Sequence, residues 1–150
     1  MKTNTPFMPK MPVPTRPNET WAVDHAILDW PQRLFVMLVI DVATRRPLSA
    51  TVSLAVSEDI VATLERLARR TGCPREIWVD HSSAYRWGLF QDWSRQRGIE
   101  VLHGPGPQAK AVTEGPLRHL CSSLHAKHLP TLMELGHEIE RWRQSYTATK

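Results

Sequence analysis

At 150 residues the chain has room for one domain with one substantial core and none for a second. Nineteen Lys and Arg against fifteen Asp and Glu leave a formal charge of +4 and a sequence pI near 9.4, a balance suited to a polyanionic partner. Cys73 and Cys121, with 47 residues between them, exclude a disulfide framework and a cysteine-rich zinc site, and suit a reducing cytoplasm. The apolar run 34–40 is too short to span a bilayer, and the polar, proline-rich start has no signal-peptide core, so an unexported protein off the membrane is expected.

Residues 1–19 hold Pro9, Pro12, Pro14 and Pro17 among Lys2, Lys10 and Arg16, which predicts an extended arm. Three strands are predicted next, at 21–28, 33–42 and 48–55, separated by turns around Trp30-Pro31-Gln32 and Thr44-Arg45-Arg46-Pro47. Connections this short argue for an antiparallel meander, because a parallel pair needs a longer crossover. Ser57 is placed to cap a helix with Ile60, Leu64 and Leu67 on one face, ending at Thr71-Gly72. A strand at 76–80, a helix at 87–97 and a strand at 99–102 follow. Gly104-Pro105-Gly106-Pro107 reads as a loop, and a helix is expected to open at Glu114 and run to His128 with Leu117, Leu120 and Leu124 aligned. A last helix at about 131–145 puts Leu132, Leu135, Ile139 and Trp142 on one side. The order is α/β with a mixed sheet.

Three acids stand where a core-building rule would not put them. Asp24 interrupts the run 21–28, Asp80 closes Ile77-Trp78-Val79, and Glu114 follows the Gly/Pro loop. Carboxylates that lose hydration at strand ends need a compensating cation or donor, and a hard divalent ion such as Mg²⁺ meets that need. Three unrelated carboxylates are the plainer alternative, with Glu114 favoured by the dipole at a helix start. Asp29 and Asp41 compete as acids but read as solvated turn residues.

Five ordered segments resemble one family. Thr15-Arg16-Pro17-Asn18-Glu19-Thr20-Trp21-Ala22-Val23-Asp24, Val39-Ile40-Asp41-Val42-Ala43-Thr44-Arg45, Ile77-Trp78-Val79-Asp80, Pro107-Gln108-Ala109-Lys110-Ala111-Val112-Thr113-Glu114 and Ile139-Glu140-Arg141-Trp142-Arg143-Gln144-Ser145-Tyr146 resemble the catalytic core of DDE transposases and retroviral-type integrases. The resemblance implies a ribonuclease-H-like fold over residues 20–150: a five-stranded mixed sheet, three strands antiparallel and two parallel, flanked by helices. It implies that Asp24, Asp80 and Glu114 are catalytic and bind two Mg²⁺ or Mn²⁺ ions, to cut and join DNA strands in transposition. It also implies a homodimer or higher assembly, with DNA ends recognised by a separate domain or chain. The alternative is an inactive or truncated transposase-derived module that binds DNA or a partner chain. Where the family usually has Asn-Gly after the second aspartate this chain has His81-Ser82-Ser83, and Gly115-Pro116 follows Glu114 in place of a polar turn.

Lys110, Arg118, His119, His125 and Lys127 surround the Glu114 helix and are the candidate DNA contacts, against the alternative of an ordinary solvated face. Glu114, Arg118, Cys121 and His125 share a face by spacing. Cys121, His125 and His128 also share one, but no second ligand pair at zinc-finger spacing supports a zinc site. His25 follows Asp24 in a strand and so is expected on the opposite face, while His81 could line the site. Trp78 and Trp142 read as core; Trp87 and Trp93 are undecided between core and base stacking.

Overall fold

Two strands of alternating side chains feed two helical layers. The computed structural model describes residues 14–147 except 55, 83, 84, 86, 87, 105 and 126, and only the backbone of 56–59. The strands are β1 (Thr20–Asp29), β2 (Arg33–Asp41), β3 (Pro47–Ser53), β4 (Glu76–Val79) and β5 (Glu100–His103). The helices are α1 (Val56–Thr71), α2 (Leu89–Gln96), α3 (Pro107–His125) and α4 (Leu132–Ser145). They form one sheet in the order β3-β2-β1-β4-β5, antiparallel from β3 to β1 and parallel across β1-β4 and β4-β5. No helix among the described residues is long and apolar enough to cross a membrane.

Successive strand residues face opposite layers, and the sequence uses that parity consistently. Leu34, Val36, Leu38 and Ile40 of β2, with Ala22 and Leu28 of β1, pack against Leu117, Leu120 and Leu124 of α3 and Leu135, Ile139 and Trp142 of α4. Met37 and Val39, with Trp21 and Val23, pack on the other side against Ile60, Leu64 and Leu67 of α1 and Phe90 and Trp93 of α2. Each fully buried aliphatic side chain here contributes roughly 1.5–3 kcal/mol by leaving water. Trp93 is thereby a core residue, as are Trp78 and Trp142; Trp87 and the expected Ser57 cap lie outside the described side chains.

The structure corrects three expectations. Helix α3 begins at Pro107, seven residues before Glu114, and ends at His125 rather than His128. A proline at the first helical position needs no N–H and has its φ already set, while Gly106, at φ +106°, makes the preceding turn. The Gly/Pro loop therefore starts the helix at its own last residue. Pro116, expected in a first turn, is interior to the helix and buried. Asp41, expected to be solvated, is 3% exposed. It accepts from the Asn18 N–H at 2.9 Å and the Ala43 N–H at 3.0 Å. Asn18, at φ +65°, also donates through its amide to the Thr71 and Gly72 carbonyls and accepts from the Trp21 indole at 2.6 Å. A buried carboxylate with two backbone donors is stable there, so the turn rule yields to the tertiary contact.

Candidate active site

Asp24 and Asp80 are brought level by strand register. In the parallel pair β1-β4, Trp21 stands opposite Ile77 and Ala22 opposite Trp78, so two residues further along each chain Asp24, in the middle of β1, comes level with Asp80, just past the end of β4. Both line one cleft of about 840 Å³, with Ala22, Trp78, Gly106, Lys110 and Thr113 among its walls. Asp24 lies on the α3 side of the sheet because it has the parity of Ala22 and Leu28.

The Asp24 carboxylate is held from two directions. Its Oδ1 accepts the His25 N–H at 2.8 Å and its Oδ2 accepts the Thr113 hydroxyl at 3.0 Å. Burial pushes its pKa above the usual 3.8, and the Asp80 charge pushes the same way; the two hydrogen bonds and Lys110 pull it down. Asp80, more exposed, accepts the Ser82 N–H at 2.8 Å through Oδ1. Each engaged oxygen keeps a second lone pair. Two carboxylates facing one cleft, one of them desolvated and opposed by its neighbour, fit a hard divalent cation as ligands.

Glu114 does not line the cleft. It follows Thr113 by one residue, roughly 100° around the helix, and its carboxylate meets Arg118 one turn on at 3.0 Å, both side chains largely exposed. Among the described residues no group of three His, Cys, Asp or Glu side chains comes together to hold a metal ion, and this includes Cys121, His125 and His128. Of the expected DNA contacts, Lys110 is at the cleft and Arg118 is engaged by Glu114. His119 accepts the Trp142 indole N–H at 2.9 Å and lies 5.1 Å from the Tyr146 ring, so it ties α3 to α4. His125 is exposed in the last turn of α3, and Lys127 pairs with Glu138 of α4.

Sequence reasoning missed three participants. Thr113 gave no signal beyond lying one residue before Glu114, since a helical threonine is ordinarily unremarked. His25 lies on the far face from Asp24 as its parity predicts, but its ring there meets Tyr85, whose hydroxyl stands 2.6 Å from Nδ1. Burial lowers the His25 pKa from 6.5 to about 4, with Asp80 acting in the opposite direction, so the ring is neutral at pH 7. Gly104 completes the site's wall: at φ +56°, a Cβ there would come within 2.2 Å of His81 Nε2, so the His81 ring rests on its bare backbone.

No protein-family model matches the chain. In sequence it is 29% identical over 145 residues to the uncharacterized 39.2 kDa protein of insertion element IS476 from Xanthomonas euvesicatoria, a match covering 91% of this chain and 41% of that protein. The chain thus spans about two fifths of that relative's length. In fold it is similar to the catalytic core domain of BIV integrase, with a TM-score of 0.70 over 89% of this chain and 87% of that one at 14% identity. It is also similar to a chain of the simian T-cell lymphotropic virus intasome solved with PP2A regulatory subunit B56 gamma, with a TM-score of 0.68 at 20% identity, over 88% of this chain and 50% of that one. The fold is the ribonuclease-H-like fold of integrase catalytic cores, as the sequence resemblance implied.

Proposed function

We propose that residues 20–150 are the catalytic core of a DDE-type transposase, a polynucleotidyl transferase that cuts and joins DNA strands. The observation that supports this reading most is the level placement of Asp24, in the middle of β1, and Asp80, just past the end of the adjacent parallel β4, both lining one cleft with Lys110. Asp24 and Asp80 would be the first ligands of divalent ions, Mg²⁺ or Mn²⁺, and Glu114 would join them by turning away from Arg118 about its own side-chain torsions. Held there, such ions would supply a lowered pKa for an attacking water or hydroxyl and charge stabilisation for the leaving oxygen of an in-line displacement.

The chain's own residues have separable tasks in this reading. Thr113 and the His25 amide orient Asp24, so that its lone pairs stay aimed into the cleft. Lys110, on the first turn of α3, offers a cation to a DNA phosphate at the cleft. Arg118, released when Glu114 turns, adds a second phosphate contact one helical turn beyond Glu114. His119, His125 and Lys127 extend that side, and a dimer or larger assembly with separate DNA-end recognition completes the machine in the cytoplasm.

A second reading is favoured by the Glu114–Arg118 pair itself. A module in which that carboxylate stays on the exposed face would bind DNA without cutting it. Incubating the protein with supercoiled DNA and Mn²⁺ separates the two. The catalytic reading expects nicking that Asp24→Asn abolishes and Glu114→Gln strongly reduces; nicking unaffected by Asp24→Asn contradicts it. Salt-sensitive DNA binding with no metal-dependent nicking supports the second reading.

A further inference from the structure

Beneath the cleft, on the far face of β1, buried Tyr85 meets half-buried His25, a polar contact that the catalytic reading does not use. Tyr85 is 1% exposed, its ring packed edge-on against Phe90 with centroids 5.2 Å apart. Its hydroxyl shares a hydrogen bond of 2.6 Å with Nδ1 of the His25 ring. Both residues also continue, through main-chain groups, to one carboxylate each. The His25 N–H donates to Asp24 Oδ1. The Tyr85 N–H donates to the Ser82 carbonyl at 3.1 Å, and the Ser82 N–H donates to Asp80 Oδ1. A closed path therefore runs from Asp24 through His25, Tyr85 and Ser82 to Asp80. Gln91 of α2 braces it from outside, donating to the Tyr85 carbonyl at 2.8 Å.

We propose that the Tyr85–His25 hydrogen bond is a positioning bracket that sets the separation of the Asp24 and Asp80 carboxylates for a divalent cation. The proposal rests on the reading that this pair binds one. The strands fix the two Cα positions, but Asp80 lies just past the end of β4, where no ladder bond restrains its side chain. Tyr85, at the end of the turn after it, ties that turn to β1 through His25 and to α2 through Gln91. Buried polar links of this kind hold ligands in place through groups that do not themselves touch the ion.

Tyr85→Phe keeps the ring and its contact with Phe90 and deletes only the hydroxyl. Two measurements apply, both made well below the melting temperature: Mn²⁺ affinity by calorimetric titration, and hydrogen exchange of the Ser82 amide by NMR. Tyr85→Phe is expected to bind Mn²⁺ about tenfold more weakly than wild type, with faster Ser82 exchange. His25→Leu, cutting the same bond from the other side, is expected to do the same. Asp24→Asn serves as the control that abolishes binding at this site. Unchanged Mn²⁺ affinity in Tyr85→Phe overturns the bracket. If wild type binds no Mn²⁺, the metal reading itself fails, and Ser82 exchange alone decides: acceleration in Tyr85→Phe upholds the bracket as a device that orders the carboxylates, and no change overturns it.

Discussion

The Thr113 hydroxyl donates to Asp24 Oδ2 across 3.0 Å, joining the second turn of α3 to the middle of β1. The bond helps hold down a pKa that burial raises. Thr113→Val is isosteric but leaves that oxygen without its donor, so the Asp24 carboxyl should titrate higher and the fold should lose about 1–2 kcal/mol. Thr113→Ser should retain most of both. Carboxyl titration by NMR and urea denaturation check the two effects separately.

Burial works against the ionised form of Asp24. Because its folded pKa lies above 3.8, the folded state holds the proton more tightly than the unfolded chain, and stability falls as pH rises through the folded value. Asp24→Asn removes that charge while keeping the side chain's shape. Its melting temperature in metal-free buffer at pH 7 should exceed that of wild type, at roughly 2–4 °C per kcal/mol gained for a chain of this size. A lower melting temperature would show that the charge is compensated within the fold.

His25 gives the opposite sign. Its folded pKa of about 4 lies below 6.5, so the unfolded chain takes up the proton first, and stability is lost as pH falls between those values. The full loss is about 3 kcal/mol. Glu138 and Glu140, whose carboxyls Lys127 and Arg143 hold below their usual value, add to the same acid limb at lower pH. The difference between wild type and His25→Asn, followed by denaturation from pH 7 downward, isolates the histidine. The variant should show a shallower decline above pH 5.

Glu114 and Arg118 form an exposed pair one turn apart, an arrangement worth about 0.3–0.5 kcal/mol. Glu114→Gln should therefore leave the folded state's stability within roughly 0.5 kcal/mol of wild type. Any large loss of nicking in that variant is then assignable to chemistry and not to folding. Chemical denaturation run alongside the nicking assay supplies the comparison.

Much of this arrangement was legible in the chain because strand parity is a strict rule. Alternation in 21–28 and 33–42 fixes which side chains meet α3 and which meet α1, and with it the facing of Asp24 and the turning away of His25. The parallel pairing that sets Asp24 beside Asp80 was not in any local pattern; it came from the family resemblance and depends on a contact between residues more than 50 positions apart. Local rules failed where one residue has two meanings. Pro107 reads as a breaker and acts as a helix start. Asp41 reads as a turn residue and is buried by Asn18, far away in sequence. Thr113 and Tyr85 were silent because a single hydroxyl has no period, and its partner is known only once the sheet has formed.

On this reading Asp24 and Asp80 together bind a divalent cation. Diffraction from crystals soaked in Mn²⁺, with anomalous data collected near the manganese edge, tests it most directly. An anomalous peak is expected between the two carboxylates, about 2.0–2.3 Å from an oxygen of each, with Glu114 turned from Arg118 toward a second ion roughly 3.5–4 Å away. Manganese bound elsewhere, with no peak between Asp24 and Asp80, would contradict it.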